Sequence, residues 1–587
     1  MGPADYSWSG GDAMHARFAL VAALLLGMYT NGVIGQEEAS RSTHTLVTPG
    51  RSKVATKFGI VAASQPLAAR AGVQVLEHGG NAVDAAIAAN AVMGLVEPHY
   101  NGIGGDLFVI YYEAKSDKLY GLNSGGWAPT GLTPAFLKAK GITRMPNNGI
   151  YSVTVPGAVA GWEALRARFG KLTMADLLAP AIYYADNGFP VSEVIADAWE
   201  GQTLKLAAEP TAAKTFLIDG RAPRAGEVFR NPDLAGTMRL IAEKGPAGFY
   251  QGRTAEAILA ISREKGGTMS AADLAEFKPE WVEPISTTYR GWKVHELPPN
   301  TQGIAALMML NLMEQYPLGE YGFHSAKALH VMIEAKKLAY ADMLRYVADP
   351  HFARTPVTQM LSRERAQVRA RLINPAKAAC TVEPSSFDGV TSSAGDTIYL
   401  SVIDRDGNIV SLIQSLFGSF GSGVVPANTG IMLHNRGGLF TLEEGHPNVL
   451  APRKRPLHTI IPAFMEKGNV KIGFGIMGGF NQAQAHAQFV ADIADFGLDI
   501  QQALEAGRFT KGSFTGCDVN IETLVPESVR NELNALGHDV RPVPPRTATF
   551  GYGQAVMSDG AGVHYGASEP RHDGEAIPEA PPVFGRR

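Results

Sequence analysis

Thr397 stands between Gly395-Asp396 and Ile398-Tyr399-Leu400, so a hydroxyl opens a run of strand-forming residues directly after a polar stretch. A hydroxyl is a weak nucleophile until a base takes its proton, and one recurring solution uses the α-amino group of the same residue. An α-amine titrates at about 7.7–8.0, which leaves a useful neutral fraction at physiological pH. That amine exists only once the Asp396–Thr397 bond has been cut. The arrangement predicts a chain cleaved after Asp396, with Thr397 acting as both nucleophile and general base toward an amide carbonyl. β-Propensity also accounts for a threonine at a strand start, so the rest of the chain has to decide.

The elements around Thr397 fit a positioning role. Residues 375–396 are rich in Pro, Ser, Thr and Gly with little apolar periodicity and read as a mobile loop. Residues 397–403, an Asp406-Gly407 turn and residues 409–415 read as a β-hairpin. Upstream, Ser64 caps one helix with Pro66 in its first turn, Gly79-Gly80 stops it, and 81–96 forms a second helix whose alanines imply tight packing. Gly102-Ile103-Gly104-Gly105-Asp106 precedes a strand over 107–112. A dinucleotide loop has the reverse order, so these glycines are read as allowing a tight turn against a neighbouring segment. Between residues 155 and 375 the pattern is mainly helical, clearest over 165–169, 181–187, 232–244, 255–264 and 325–347.

Composition removes other classes. Lys+Arg of 52 against Asp+Glu of 56 gives a formal charge of −4, without the basic field that nucleic-acid binding needs. No CxxC or His-Glu-x-x-His occurs, so a metal site is not indicated, and no P-loop or Gly-x-Ser-x-Gly elbow competes for the chemistry. The two cysteines, Cys380 and Cys517, read as buried free thiols, although export would let them pair. Residues 1–35 read as a targeting segment: Met14 to Arg17 supply a positive start, 18–28 an apolar run and 33–35 small residues. Asp5 and Asp12 make Met14 a candidate start. The apolar run is shorter than the about 20 residues that span a bilayer, so the expectation is a secreted or periplasmic protein without a stable membrane anchor.

The segment GDTIYLSVIDRDGNIVSLIQSLFGSFGSGVVPANTGIMLHNR resembles the processing region of the γ-glutamyltranspeptidase family. The resemblance continues in RKRPLHTIIPAF, GIMGGFNQAQAH, HGGNAVDAAIAANAVMGLVEPHYNGIGGDLF and VTVPGAVAGW, and so covers nearly the whole mature chain. It implies an α+β fold, the αββα sandwich of N-terminal-nucleophile hydrolases with a helix-rich large-subunit portion. It also implies a large subunit over 36–396, a small subunit over 397–587 that begins with the nucleophile, and no cofactor. Carried over by motif, Thr397 is the nucleophile, Ser415 the supporting hydroxyl, and the N–H groups of Gly478 and Gly479 the oxyanion donors.

The glutamyl-gripping positions depart from the family. Gly125 stands where an arginine is expected, Phe417 replaces an asparagine, Arg436 and Leu439 replace a glutamine and an aspartate, and His458-Thr459 replace paired serines. A missing clamp leaves the ionic groups of a glutamyl substrate desolvated without partners. The expected activity is therefore that of the divergent acylase and amidohydrolase branch, acting on a small acyl or carboxylated amide. Arg436 is expected to meet either a substrate carboxylate or a protein carboxylate such as Glu443 or Glu444. His458 is read as a spatial residue rather than a triad member. Two alternatives stand beside this reading: a true γ-glutamyltransferase or glutathione hydrolase with an altered clamp, and a catalytically silent binding protein.

Overall fold

The strands Asp396–Ile403 and Ile409–Phe417 pair antiparallel, forming the hairpin that the Asp406-Gly407 turn predicts. Successive side chains of a strand point to opposite faces. Here Ile398, Leu400 and Val402 pack against a helical layer, while Tyr399 and Ile403 pack toward a second sheet. Both faces are covered, which is why the strand carries apolar residues without alternation. The computed structural model describes residues 46–384 and 396–583; the targeting segment expected over 1–35 lies outside the described residues.

The hairpin sits at the centre of a seven-stranded antiparallel sheet. Its order is Glu575–Pro578, Ile60–Ala63, Asp396–Ile403, Ile409–Phe417, Asp106–Glu113, Lys118–Ser124 and Glu280–Val282. A second seven-stranded sheet runs Val54–Thr56, His564–Ser568, Gly553–Ser558, Val470–Ile476, Ala463–Lys467, Trp292–Glu296 and Ile285–Tyr289. Ile60, Phe108, Tyr399 and Ile413 of the first sheet meet Phe464 and Val556 of the second in one buried cluster. Outside the first sheet lie the helices Pro66–Glu77, Ala82–Val96 and Ala158–Phe169. Outside the second lies Gln482–Ala494, whose Phe489 stacks on Phe474 at 4.6 Å and whose His486 accepts from Ile476 N at 3.1 Å. The molecule is an αββα sandwich, α+β in class.

Each sheet contains strands from both sides of the Asp396–Thr397 bond. Ile60–Ala63 and Asp106–Glu113 flank the hairpin in the first sheet, and Trp292–Glu296 pairs with Ala463–Lys467 in the second.

Three sequence readings change. The region read as mainly helical contains the hairpin Ile285–Tyr289 and Trp292–Glu296, turned by Arg290 and Gly291 at φ 48° and 79°; two positive φ angles are the signature of a tight hairpin turn. The first helix is capped by Gln65, whose Oε1 accepts from Leu67 N at 2.6 Å, because Ser64 Oγ donates instead to Glu97 at 2.9 Å. Cys380 and Cys517 are not buried free thiols: they form a disulfide, with Cα atoms 4.5 Å apart, and Cys380 is exposed. Their 137-residue separation hid a tertiary contact in which Cys380 O accepts from Gly516 N at 2.7 Å and Leu536 O from Ala378 N at 2.7 Å. Residues 375–384, the start of the stretch read as a mobile loop, are thereby tied down, and 385–395 lie outside the described residues.

Candidate active site

Thr397 is fully buried, and its Oγ1 lies within hydrogen-bond reach of two side chains. It donates to Ser415 Oγ at 3.3 Å and accepts from Gln482 Nε2 at 3.3 Å. The hairpin register places the first pair: Ile398 lies opposite Gln414, and a bulge between Asp396 and Ile398 brings Asp396 opposite Phe417. Ser415 Oγ also accepts from Phe417 N at 2.7 Å, which fixes its hydroxyl oxygen at the strand end. Gln482 begins the helix that follows Gly478-Gly479.

That turn has φ 124° at Gly478 and 56° at Gly479, backbone that side chains with a Cβ rarely adopt. Among the described residues neither glycine N–H has an acceptor, so both remain available as donors. Gln302 Nε2 donates to Gly479 O at 2.7 Å and also to Thr459 O, while Gln482 Oε1 accepts from Ile461 N at 3.0 Å. Two glutamines thus lock the Gly-Gly turn, the 458–461 segment and Thr397 into one unit. Nothing in the sequence pattern singles out either one, although Gln482 lies inside the GIMGGFNQAQAH block.

Beside Ser415 in the sheet register is Asp106, the first residue of its strand. Asp106 Oδ1 accepts from Gly126 N at 2.7 Å, and Oδ2 faces His458 Nε2 and His434 Nδ1, both at 3.0 Å, and Arg436 Nε at 3.4 Å. All four side chains are fully buried. Arg436 Nη1 donates to Thr459 Oγ1 at 2.8 Å, and the guanidinium lies 4.6 Å over the Phe417 ring. Arg436 Nη2 has no hydrogen-bond partner among the described residues. The carboxylate beside Arg436 is therefore Asp106, not Glu443 or Glu444, which are exposed in a turn further along the chain.

The electrostatics follow from burial and these neighbours. Burial alone raises a carboxyl pKa, but the electrostatic pull of His434 and the ring N–H contacts from His434 and His458 outweigh it and hold Asp106 well below the usual range. Burial lowers Arg436 to about 10 against the opposing pull of Asp106, so it stays charged. Burial and the Arg436 charge push His458 down to about 3, so its imidazole is neutral. Its Nδ1 accepts from Ile460 N at 3.4 Å, which leaves the proton on Nε2, pointing at Asp106. His458 accordingly donates to the Asp106 carboxylate. Asp106 and His434 escape sequence reasoning because the glycine-rich segment ahead of Asp106 reads only as a turn. That reading is itself sound: a Cβ at Gly104 would lie within 2.1 Å of Met432 O.

The remaining clamp positions are closed or displaced. A Cβ at Gly125 would lie 3.0 Å from the Phe108 ring and 3.4 Å from His458, so a longer side chain there has no room without rearrangement. Leu439 ends the short turn that Arg436 begins and faces a groove. Among the described residues His330, Glu334 and His538 bring metal-ligating atoms together. Those atoms are already engaged: His330 Nδ1 bonds His538 Nε2 at 2.8 Å, and Lys337 Nζ donates to Glu334 at 2.7 Å. The Glu334 carboxylate is thus already answered by an ammonium.

The sequence matches the gamma-glutamyltranspeptidase model over residues 68–579. The chain belongs to the gamma-glutamyltranspeptidase family. It is 37% identical over 534 residues to the glutathione hydrolase-like YwrD proenzyme of Bacillus subtilis, covering 90% of this chain and 99% of that protein. It is 33% identical to the oxamate amidohydrolase proenzyme of Klebsiella pneumoniae, over 89% of this chain and 99% of that one. The crystal structure of cephalosporin acylase from Bacillus halodurans superposes with a TM-score of 0.85 at 41% identity, covering 91% of this chain and 98% of the other. Hydrolases, acylases and proenzymes of this gamma-glutamyltranspeptidase family make the chain an enzyme of amide hydrolysis or acyl transfer.

Proposed function

We propose that the protein is a self-processing amidohydrolase whose nucleophile is Thr397. The observation that carries this is the buried Thr397 hydroxyl, held between Ser415 and Gln482 at a strand start beside the Gly478-Gly479 turn. In the precursor, Thr397 Oγ attacks the Asp396 carbonyl carbon; the C–N bond breaks, the nitrogen takes up the proton that Oγ gives up, and an ester joins Asp396 to Oγ. Water then hydrolyses that ester, freeing the α-amine of Thr397. In turnover the amine takes the Oγ proton, Oγ attacks the substrate amide, and the Gly478 and Gly479 N–H groups meet the developing oxyanion. The departing amine takes that proton back, and water releases the acyl group.

Phe417, Arg436, His458 and Thr459 line the acyl pocket in this reading. With Asp106 ionised and His458 neutral, the Arg436 charge is already answered, and the unpaired Nη2 is the group left to meet an oxygen of the acyl portion. The name of the oxamate amidohydrolase relative agrees with a small, carboxylated acyl group. In this reading residues 36–396 form the large subunit and 397–587 the small one. The Cys380–Cys517 disulfide favours an oxidising compartment, consistent with a secreted or periplasmic protein.

The deciding experiment is Thr397→Ala. Purified wild type, reduced and denatured, is expected to give two fragments, the smaller beginning at Thr397, while the variant remains one chain without activity. A variant still cut at this bond removes the proposal, and an uncut wild type favours a silent binding protein. Relatives named glutathione hydrolase keep a γ-glutamyl reading open. Glutathione turnover equal to that of the best simple amide selects it.

A further inference from the structure

Charge is unevenly spread along the chain. Residues 351–377 hold six Arg and Lys residues and one acid, Glu364, in a protein whose formal charge is −4. The helix Arg363–Ala370 lies within this segment. Residues four apart on a helix lie one above the other, and burial follows that spacing: Ala366 and Ala370 are buried, whereas Arg363, Glu364, Gln367 and Val368 are exposed. Beyond the helix Leu372 N donates to Arg369 O and Ile373 N to Ala370 O, both at 3.0 Å. That closing turn keeps the division, with Arg371 and Leu372 exposed and Ile373 buried. Arg365 and Arg369 reach Asp342 of the helix Ala326–Tyr346 at 3.3 and 3.4 Å, which fastens the element to the core. Its outer strip presents Val368, 64% exposed, and Leu372, 59% exposed, beside Arg363 and Arg371, with the exposed Lys377 following.

We propose that this strip docks the protein reversibly on a membrane surface rich in anionic lipid. Cations alone would serve any polyanion, and the apolar pair chooses among them. Val368 and Leu372 gain by entering the boundary between headgroups and acyl chains, which a nucleic acid or an acidic polysaccharide does not offer, while the long side chains of Arg363 and Arg371 keep their charges at the level of the phosphates. Each Lys or Arg near such a surface strengthens binding about fivefold. Glu364, at the start of the strip, takes back part of that gain. Two apolar side chains and a few cations make a contact that salt releases, not an anchor. Among the described residues no helix is long and apolar enough to cross a membrane.

Co-sedimentation of the full chain with vesicles containing phosphatidylglycerol, and with vesicles of phosphatidylcholine alone, tests the strip. Binding to the anionic vesicles is expected to be at least tenfold the stronger, and to be released at about 1 M salt, where the screening length is about 3 Å. Arg371→Glu combined with Lys377→Glu should weaken it at least tenfold. Val368→Ser combined with Leu372→Ser should weaken it about threefold, with the charge untouched. Circular dichroism and melting temperature, both expected at wild-type values, confirm that each variant folds. The serine pair decides between a lipid surface and a general polyanion site, because only the first feels the loss of apolar contact. Wild type that does not bind anionic vesicles, equal binding to both vesicle types, or unchanged binding in either double variant overturns the proposal.

Discussion

Arg436 and Asp106 have to be judged together. Removing one partner of a buried pair costs about 3–5 kcal/mol, because the other charge is left without compensation. Arg436→Met would strand Asp106 with two histidines, so a loss of activity there would mix folding with recognition. Arg436→Lys retains the charge but loses the planar fork and the stacking on Phe417. That variant is expected to fold and self-cleave, with kcat/KM for carboxylated acyl amides lowered by roughly one to two powers of ten, the equivalent of a charge-assisted contact of about 1.5–3 kcal/mol. Neutral acyl analogues should lose much less; equal losses assign Arg436 to structure alone. Sequence reasoning leaves Arg436 open between a substrate carboxylate and a protein one such as Glu443 or Glu444, and the protein carboxylate beside it is Asp106. Asp106 is far away along the chain and becomes its neighbour only through the pairing of its strand with Ile409–Phe417.

At the scale of elements, the hairpin, the Gly478-Gly479 turn and the helix Gln482–Ala494 act as one positioning unit, with Gln482 as the pin. Its amide touches Thr397 Oγ1 with one end and Ile461 N with the other. A net hydrogen bond is worth about 0.5–1.5 kcal/mol, and each 1.36 kcal/mol is about tenfold in rate. Gln482→Leu, close to isosteric, is expected to slow both self-cleavage and amide turnover up to about tenfold while the melting temperature stays near that of wild type. Time courses on gels check the first and steady-state assays the second; unaffected rates would reduce Gln482 to a packing residue. The hairpin was legible because β-rich runs flank Asp406-Gly407, and the long amphipathic helices because their period is strong. The strands over 280–296 were not, since short polar-apolar segments inside a helical region give no period that stands out.

For the whole molecule, buried titratable groups set the pH range of stability. Burial holds His324 at about 4 and His458, His486 and His538 at about 3. Between those values and about 6.5, the unfolded chain binds protons that the folded chain refuses, so stability falls as pH drops through that window. Glu97 has the opposite sign. Burial raises it to about 8, so the folded chain keeps a proton that the unfolded one has released, and its contribution is lost as pH rises from about 4.3 toward 8. Melting temperature against pH should trace a dome with its top near neutrality; a curve still climbing above pH 8 contradicts these assignments. Covalent connectivity gives a second expectation at this scale. Cys380 precedes the proposed cut and Cys517 follows it, so the processed protein should run as one species on a non-reducing gel and separate into two only after reduction. Two bands without reductant would mean that the bridge is absent.

The interleaving of strands from both sides of Asp396–Thr397 has a consequence in time. A bond that is cut by a hydroxyl placed in the middle of a finished sheet can break only after that sheet exists, so assembly is completed while the polypeptide is still continuous. With the cut proposed at Asp396–Thr397, the connection that guided assembly is then gone, and the mature enzyme would hold a shape its separate pieces had no occasion to reach on their own. Its working life is then governed by how slowly it unfolds rather than by any balance between folded and unfolded forms. The disulfide is the remaining thread between the two pieces, and with it intact an opened molecule keeps its partner at hand.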